Sequence, residues 1–177
     1  QDRDKDILEK LTQYIQPDKS LYFQDLSNRK DGVSRRNAYR LEISSIPMCN
    51  VLNSYGMVPR KSLIKTFPEV ILNSNEDIKR HFIRGYYDGN GSLQMHLSKN
   101  DYLDGSALII ASTYEMCLSL NSIFHVYVDV GTSINKIKKD NYVNAYTVYS
   151  CKIYNCEKIL DWLYKDSTIY MSRKYLN

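Results

Sequence analysis

His81-Phe82-Ile83-Arg84-Gly85-Tyr86-Tyr87-Asp88-Gly89-Asn90-Gly91-Ser92-Leu93, at the middle of the chain, reads as a helix, its end and the start of a strand. Asn75 or Asp77 supplies the N-cap, and Ile78, Phe82, Ile83 and Tyr86 recur at three- and four-residue spacing, predicting an apolar stripe. Gly85 interrupts the helix interior at a cost of about 1 kcal/mol against Ala. Such a glycine suits close approach of another backbone, so a second helix is expected against Gly85. Asp88-Gly89-Asn90-Gly91 then ends the helix with two glycines, and Ser92 to Ser98 follows as a strand. Two readings stand open on these residues alone. One is a common helix cap turning into a strand; the other is a polar turn held at the end of a packed helix for chemistry.

Working outward, Asp2 to Tyr14 has the spacing of an amphipathic helix, with Ile7, Leu8, Leu11, Tyr14 and Ile15 on one face, stopped by Pro17. Strands are expected over Ser20 to Leu26 and Asn37 to Ser45, joined by a basic turn. The second places Tyr39, Leu41 and Ile43 opposite Arg40, Glu42 and Ser44. Met48 to Tyr55 is a short helix stopped by Gly56, and Arg60 to Lys65 is a basic segment closed by Pro68. Beyond the central stretch, Gly105 to Ser112 is a buried strand and Thr113 caps a helix through Phe124. A hairpin is expected over Gly131 to Ser150, then helices over Cys156 to Tyr164 and Tyr170 to Leu176. The order helix, strand, strand, helix, basic segment occurs at 2–67 and again at 113–177. Only the second copy is preceded by helix, strand, strand. The expectation is therefore two repeats, 1–75 and 76–177, with the first beginning midway.

The segment Ile83-Arg84-Gly85-Tyr86-Tyr87-Asp88-Gly89-Asn90-Gly91 resembles the LAGLIDADG motif of homing endonucleases. Pro59-Arg60-Lys61-Ser62 and Leu163-Tyr164-Lys165-Asp166-Ser167-Thr168-Ile169-Tyr170 also resemble segments of that family, so the likeness spans nearly the whole chain. It implies an α+β fold of tandem αββαββα repeats with a β-saddle over DNA, the first repeat incomplete, and two motif helices packed through small residues such as Gly85. It also implies divalent-metal-dependent phosphodiester hydrolysis, with Mg²⁺ or Mn²⁺ as cofactor at Gly89 and Asn90. The family's catalytic carboxylate falls at Asn90, whose neutral amide is a poorer ligand for a hard cation, so cleavage is expected to be impaired. Lys152 matches a basic residue that the family places near the scissile phosphate. The alternative is a cleavage-inactive relative: a DNA-binding regulator, or a maturase binding group I intron RNA. An unrelated enzyme or interaction module built on α/β packing is the third class.

Alternation names the residues that such a saddle would present. Ser92, Gln94 and His96 lie opposite Leu93, Met95 and Leu97, and Arg40 and Glu42 lie on the polar side of their strand. Arg29, Lys30, Arg35 and Arg36 in the first hairpin, and Lys136, Lys138 and Lys139 in the second, are placed for phosphate. Each set also reads as an ordinary solvated face.

Composition supports a folded chain and a polyanionic partner without requiring one: 177 residues, 43% hydrophobic, net charge +4. The 16 tyrosines accompany many Asn, Ile and Lys, the usage of an AT-rich genome, and are discounted as a binding signal. Cys49, Cys117, Cys151 and Cys156 lack paired spacing and a zinc-site His, so they read as thiols of a reducing compartment, cytoplasm or organellar matrix. No apolar run is long enough for a membrane. The partners expected are double-stranded DNA, a preceding N-terminal segment or a second chain, and possible intron RNA.

Overall fold

A computed structural model describes residues 2–16, 18–26, 37–57, 64–97, 103–138 and 144–175. The chain forms two compact units, Gln1–Ile46 with Thr168–Asn177, and Pro47–Ser167. These units follow spatial packing, whereas the repeat boundary expected at 75/76 follows element order.

In the first unit a 3₁₀ turn, Asp2–Asp4, leads into helix α1, Lys5–Ile15, and strands β1, Tyr22–Gln24, and β2, Ala38–Arg40, pair antiparallel. Both strands are shorter than the alternation predicts, so Glu42 lies beyond β2. Phe23 and Tyr39 stack across the pair with centroids 5.3 Å apart. The C-terminal helix α7, Ser172–Tyr175, is held to the chain start by Arg173, whose Nε donates to Asp4 at 2.5 Å, and by Ser172, which donates to Asp6.

The second unit opens within helix α2, Ile46–Ser54, whose first residue belongs to the first unit, and continues with α3, Glu69–Leu72. It continues as α4, Glu76–Asn90; β3, Gly91–Leu97; β4, Leu103–Ser112; α5, Tyr114–Ile123; β5, Ser133–Lys136; β6, Tyr146–Ser150; and α6, Ile153–Tyr164. From α4 to α6 this is one αββαββα series, and α1 to α2 is the αββα portion of another. Asn75 caps α4, accepting from the Ile78 amide at 3.0 Å, and Thr113 caps α5. A π turn, Phe124–Val128, extends α5 and ends on Asp129, whose φ of 54° is left-handed.

The four strands run antiparallel in the order β3-β4-β6-β5. Leu108, Ile110 and Val148 are fully buried on one face of this sheet, beneath Met116, Leu120, Phe124, Ile159 and Leu163 of the helices. The pairing Gly91↔Ile110↔Val148↔Ile134 fixes that face, and Ser92↔Ile109↔Tyr149↔Ser133 fixes the other. Because side chains alternate, the parity is set for the whole sheet.

Helix α4 buries a different stripe from the one predicted. Ile83 and Tyr87 are fully buried, together with Lys79, Arg80, Arg84 and Asp88, while Ile78 is 45% exposed. The four polar residues can go inside because each reaches a partner, although Arg80 Nε stays unpaired among the described residues. Arg80 pairs with Asp77 at 2.8 Å, Lys79 donates to the Ser74 carbonyl, and Arg84 and Asp88 meet the end of α6. The outward residues are thus Ile78, His81, Gly85 and Gly89. Cys117 and Cys156 are buried free thiols, and Cys49 and Cys151 are exposed ones. No helix among the described residues is long and apolar enough to cross a membrane.

Candidate nucleic-acid interface

Two surfaces of the second unit carry the residues singled out from sequence: the end of α4 and the uncovered face of the sheet. At the end of α4, Tyr164 donates its hydroxyl to Asp88 Oδ1 at 2.6 Å, and Arg84 reaches the Leu163 carbonyl at 3.4 Å and His81 Nδ1 at 2.6 Å. Asp88 is 6% exposed, so its charge sits in a poorly solvated site between the Tyr164 hydroxyl and the Arg84 guanidinium. Burial and the neighbouring carboxylate push the Tyr164 phenol far above its ordinary range, and the Tyr87 phenol, for the same reasons, up to about 12. Both remain protonated donors, and Asp88 is a structural fastening of α4 to α6.

Asn90, two residues on, is exposed and ends the helix. It lines a groove of about 420 Å³ with Tyr55, Lys65, His81, Phe82 and Gly85. These donors do not fit Mg²⁺. Gly89 offers only its carbonyl, Asn90 a neutral amide, and Lys65 adds a like charge. Among the described residues no group of three His, Cys, Asp or Glu side chains converges anywhere.

A Cβ added at Gly85 meets nothing within 4 Å, so no described helix makes the close contact expected there. The glycine that the packing does require is Gly91. A Cβ there would stand 2.1 Å from Tyr87 Cδ2 and 2.7 Å from the Tyr87 carbonyl oxygen. The sharp passage from α4 into β3 runs directly over that ring.

Lys152 is not brought to Asn90. Strands β3 and β6 run parallel with β4 between them, and Lys152 lies four residues past Val148, the residue level with Gly91. At about 3.3 Å per residue and about 4.8 Å per strand the two are on the order of 15 Å apart. Lys152 instead precedes α6, whose other end is fastened to Asp88 through Tyr164. The exposed lysine next to that fastening is Lys165, to which the sequence reading gave no role.

On the sheet, Ser92 and Gln94 share the uncovered face, as their alternation predicts, and His96 lies in β3 opposite Gly105. Register adds Ser133, Asn135, Thr147 and Tyr149, since Ser92 is level with Tyr149 and Ser133, and Thr147 pairs with Asn135. Ser133 and Asn135 escaped the sequence reading because β5 has four residues, too few to show a period, and Thr147 and Tyr149 of the five-residue β6 acquire their face only through the register with it. Lys136 is exposed but has the parity of Ile134, opposite to Ser133 and Asn135, and Lys138 follows beyond the strand. Arg40 is exposed and pairs with Glu42 at 2.5 Å, so each already meets a counter-charge. Arg29, Lys30, Arg35, Arg36 and Lys139 lie outside the described residues.

No protein-family model and no curated protein matches the chain. Solved structures do. The I-SmaMI LAGLIDADG homing endonuclease bound to cleaved DNA is 16% identical with a TM-score of 0.52, and covers 98% of this chain and 73% of that one. A double mutant of I-SmaMI gives 16% identity, a TM-score of 0.53 and the same coverage. The homing endonuclease I-TnaI is 15% identical with a TM-score of 0.40, over 55% of this chain and 64% of that one. The chain therefore spans just under two thirds of I-TnaI. Its fold is that of the LAGLIDADG homing endonucleases.

Proposed function

We propose that this chain binds double-stranded DNA through the uncovered face of its four-stranded sheet, and that its capacity to cleave is impaired by Asn90. The observation that carries this reading is the composition of that face: Ser92, Gln94, Ser133, Asn135, Thr147 and Tyr149 present donors and acceptors on one side of a sheet whose other side is core. Four strands at about 4.8 Å spacing make a surface roughly 14 Å wide, comparable with the roughly 12 Å of a B-form major groove. Gln94 is of the type that makes paired hydrogen bonds to adenine, and the hydroxyls and Asn135 reach base edges or phosphates. The LAGLIDADG fold and the net charge of +4 support the same partner.

Cleavage in this reading is a phosphodiester hydrolysis, for which a bound Mg²⁺ or Mn²⁺ would activate water and stabilise the leaving oxygen. The described residues do not supply the anionic ligands for it, and no step is assigned through a metal. What the chain's own residues do is place position 90. Asp88, Tyr164 and Gly91 fix the end of α4, and the side chain at 90 projects from it. A half-site built to bind and not to cut follows from Asn at that position.

The test has two parts. Fluorescence anisotropy at low and moderate salt should show duplex DNA binding that weakens as salt rises, with duplex RNA of the same sequence as competitor. An Asn90→Asp variant should nick the bound DNA in Mg²⁺ or Mn²⁺ far faster than the parent. Binding that ignores salt, or preference for the RNA, would overturn the DNA reading. An Asp variant as inert as the parent on DNA that it binds would leave a binding protein alone.

A further inference from the structure

A second cavity, of about 410 Å³, opens at the N-terminal end of α6, away from the groove beside Asn90. Thr132, Ser133, Ser150, Lys152 and Asn155 lie in its wall, and none of the residues lining it is acidic. Three features converge there. Lys152 is the N-cap residue of α6 but gives no side-chain cap, so the first amides of this 12-residue helix, at Ile153, Tyr154 and Asn155, point out of the helix unclaimed by it. The aligned peptide dipoles add positive potential at the same end. Finally, Ser150 lines the cavity, is 5% exposed, and its hydroxyl makes no hydrogen bond among the described residues.

Buried hydroxyls are ordinarily bonded, and one left open beside an uncapped helix start and a lysine forms a set rich in donors and without a carboxylate. A tetrahedral oxyanion matches that set: its oxygens accept from hydroxyls and amides while Lys152 balances its charge. A cation has no ligand charge here, and a neutral apolar group would leave every donor unmet.

We infer that this cavity is a phosphate site, formed by Ser150, Lys152 and the first amides of α6. Lys152 is then a phosphate anchor, on the order of 15 Å along the sheet from Asn90 and not a participant at the scissile bond. The oxyanion is either a backbone phosphate of bound duplex or free phosphate. Only the first source rests on the DNA-binding reading proposed above.

Inorganic phosphate is titrated into the full chain in a zwitterionic buffer while the backbone amide resonances are followed, for the parent and for Lys152→Gln with Ser150→Ala. Salt dependence of duplex binding is measured on the same pair. Saturable shifts of the Ile153, Tyr154 and Asn155 amides in the parent, absent from a double variant with an unchanged melting temperature, are the expected result. A duplex salt slope lower by about one in the double variant assigns the site to DNA backbone. An unchanged slope with the phosphate response intact assigns it to free phosphate. A parent that binds no DNA but responds to phosphate ends the DNA reading and keeps the site. Amides unmoved by phosphate in the parent, or moved equally in the double variant, overturn the inference.

Discussion

Gly91→Ala isolates the passage from α4 into β3. The added methyl would lie 2.1 Å from Cδ2 and 2.5 Å from Cε2 of Tyr87, against a comfortable carbon–carbon separation of about 3.5–4.0 Å. Tyr87 is fully buried, so its ring cannot swing into solvent, and the third neighbour, its carbonyl oxygen at 2.7 Å, is backbone. The clash must be relieved by shifting core or unwinding the helix end. Overpacking of this kind costs about 1–3 kcal/mol, and displacement of more than an ångström puts it near the upper end. Removing a glycine returns about 0.4–1 kcal/mol through the unfolded chain. The net is about 2 kcal/mol, which for a protein of this size lowers the melting temperature by about 4–8 °C. Thermal melts and urea titrations of both proteins measure it, with the urea slope unchanged if the folded state stays compact. Tyr87→Leu in the alanine background should cost less than in the parent, because it opens the space that the methyl needs. A melting temperature within a degree of the parent, or strict additivity of the two changes, would refute the close approach.

Three further outcomes follow from the same geometry. Gly85→Ala should raise helix stability by about 1 kcal/mol, read as a higher urea midpoint, since nothing described lies within 4 Å of the new methyl; a loss would mean that a close neighbour packs there. Tyr164→Phe should destabilise by about 1–3 kcal/mol by stripping the buried Asp88 carboxylate of its 2.6 Å donor, and an unchanged urea midpoint would remove that bond from the argument. His81 is held below its ordinary 6.5 by burial and by Arg84 and Arg80. A depressed histidine contributes stability above the unfolded value that is lost as pH falls through it. The urea midpoint should therefore drop between about pH 7.5 and 5.5, and less so in His81→Gln.

Legibility from sequence followed the range of the interaction concerned. Asn75, Thr113 and the alternation of Ser92 and Gln94 were readable because caps and strand faces depend on residues a few positions apart. The stripe of α4 was not legible because apolar spacing alone does not show which charged residues find distant partners. Arg84 and Asp88 go inside because partners 79 and 76 residues away, the Leu163 carbonyl and Tyr164, make their burial tolerable. The glycine roles exchanged for the same reason. Gly85 stands mid-helix and invites a packing argument, whereas Gly91 looks like one more turn residue until the Tyr87 ring is in place. Lys152 was assigned by its position after the last strand, and only sheet register shows that this end of β6 lies far from Asn90.

Asp88 and Asn90 divide the end of α4 between two tasks that one residue type could not serve. Position 88 turns inward, and an ionised group there is tolerable only with the Tyr164 hydroxyl and Arg84 beside it, so it is committed to holding α6. Position 90 turns outward into the groove, where a carboxylate would be solvated and free to meet a cation or a phosphate-bound water. Changing Asn90 therefore alters the charge of the groove without touching the fastening, whereas changing Asp88 disturbs the helix that carries both. The separation makes Asn90→Asp a test of chemistry and Tyr164→Phe a test of architecture. The two should not interact: the stability lost with Phe should be the same in either background. Coupling between them would mean that the end of α4 moves as one body with α6, and that any gain of cleavage at position 90 has to be read together with a change in fold.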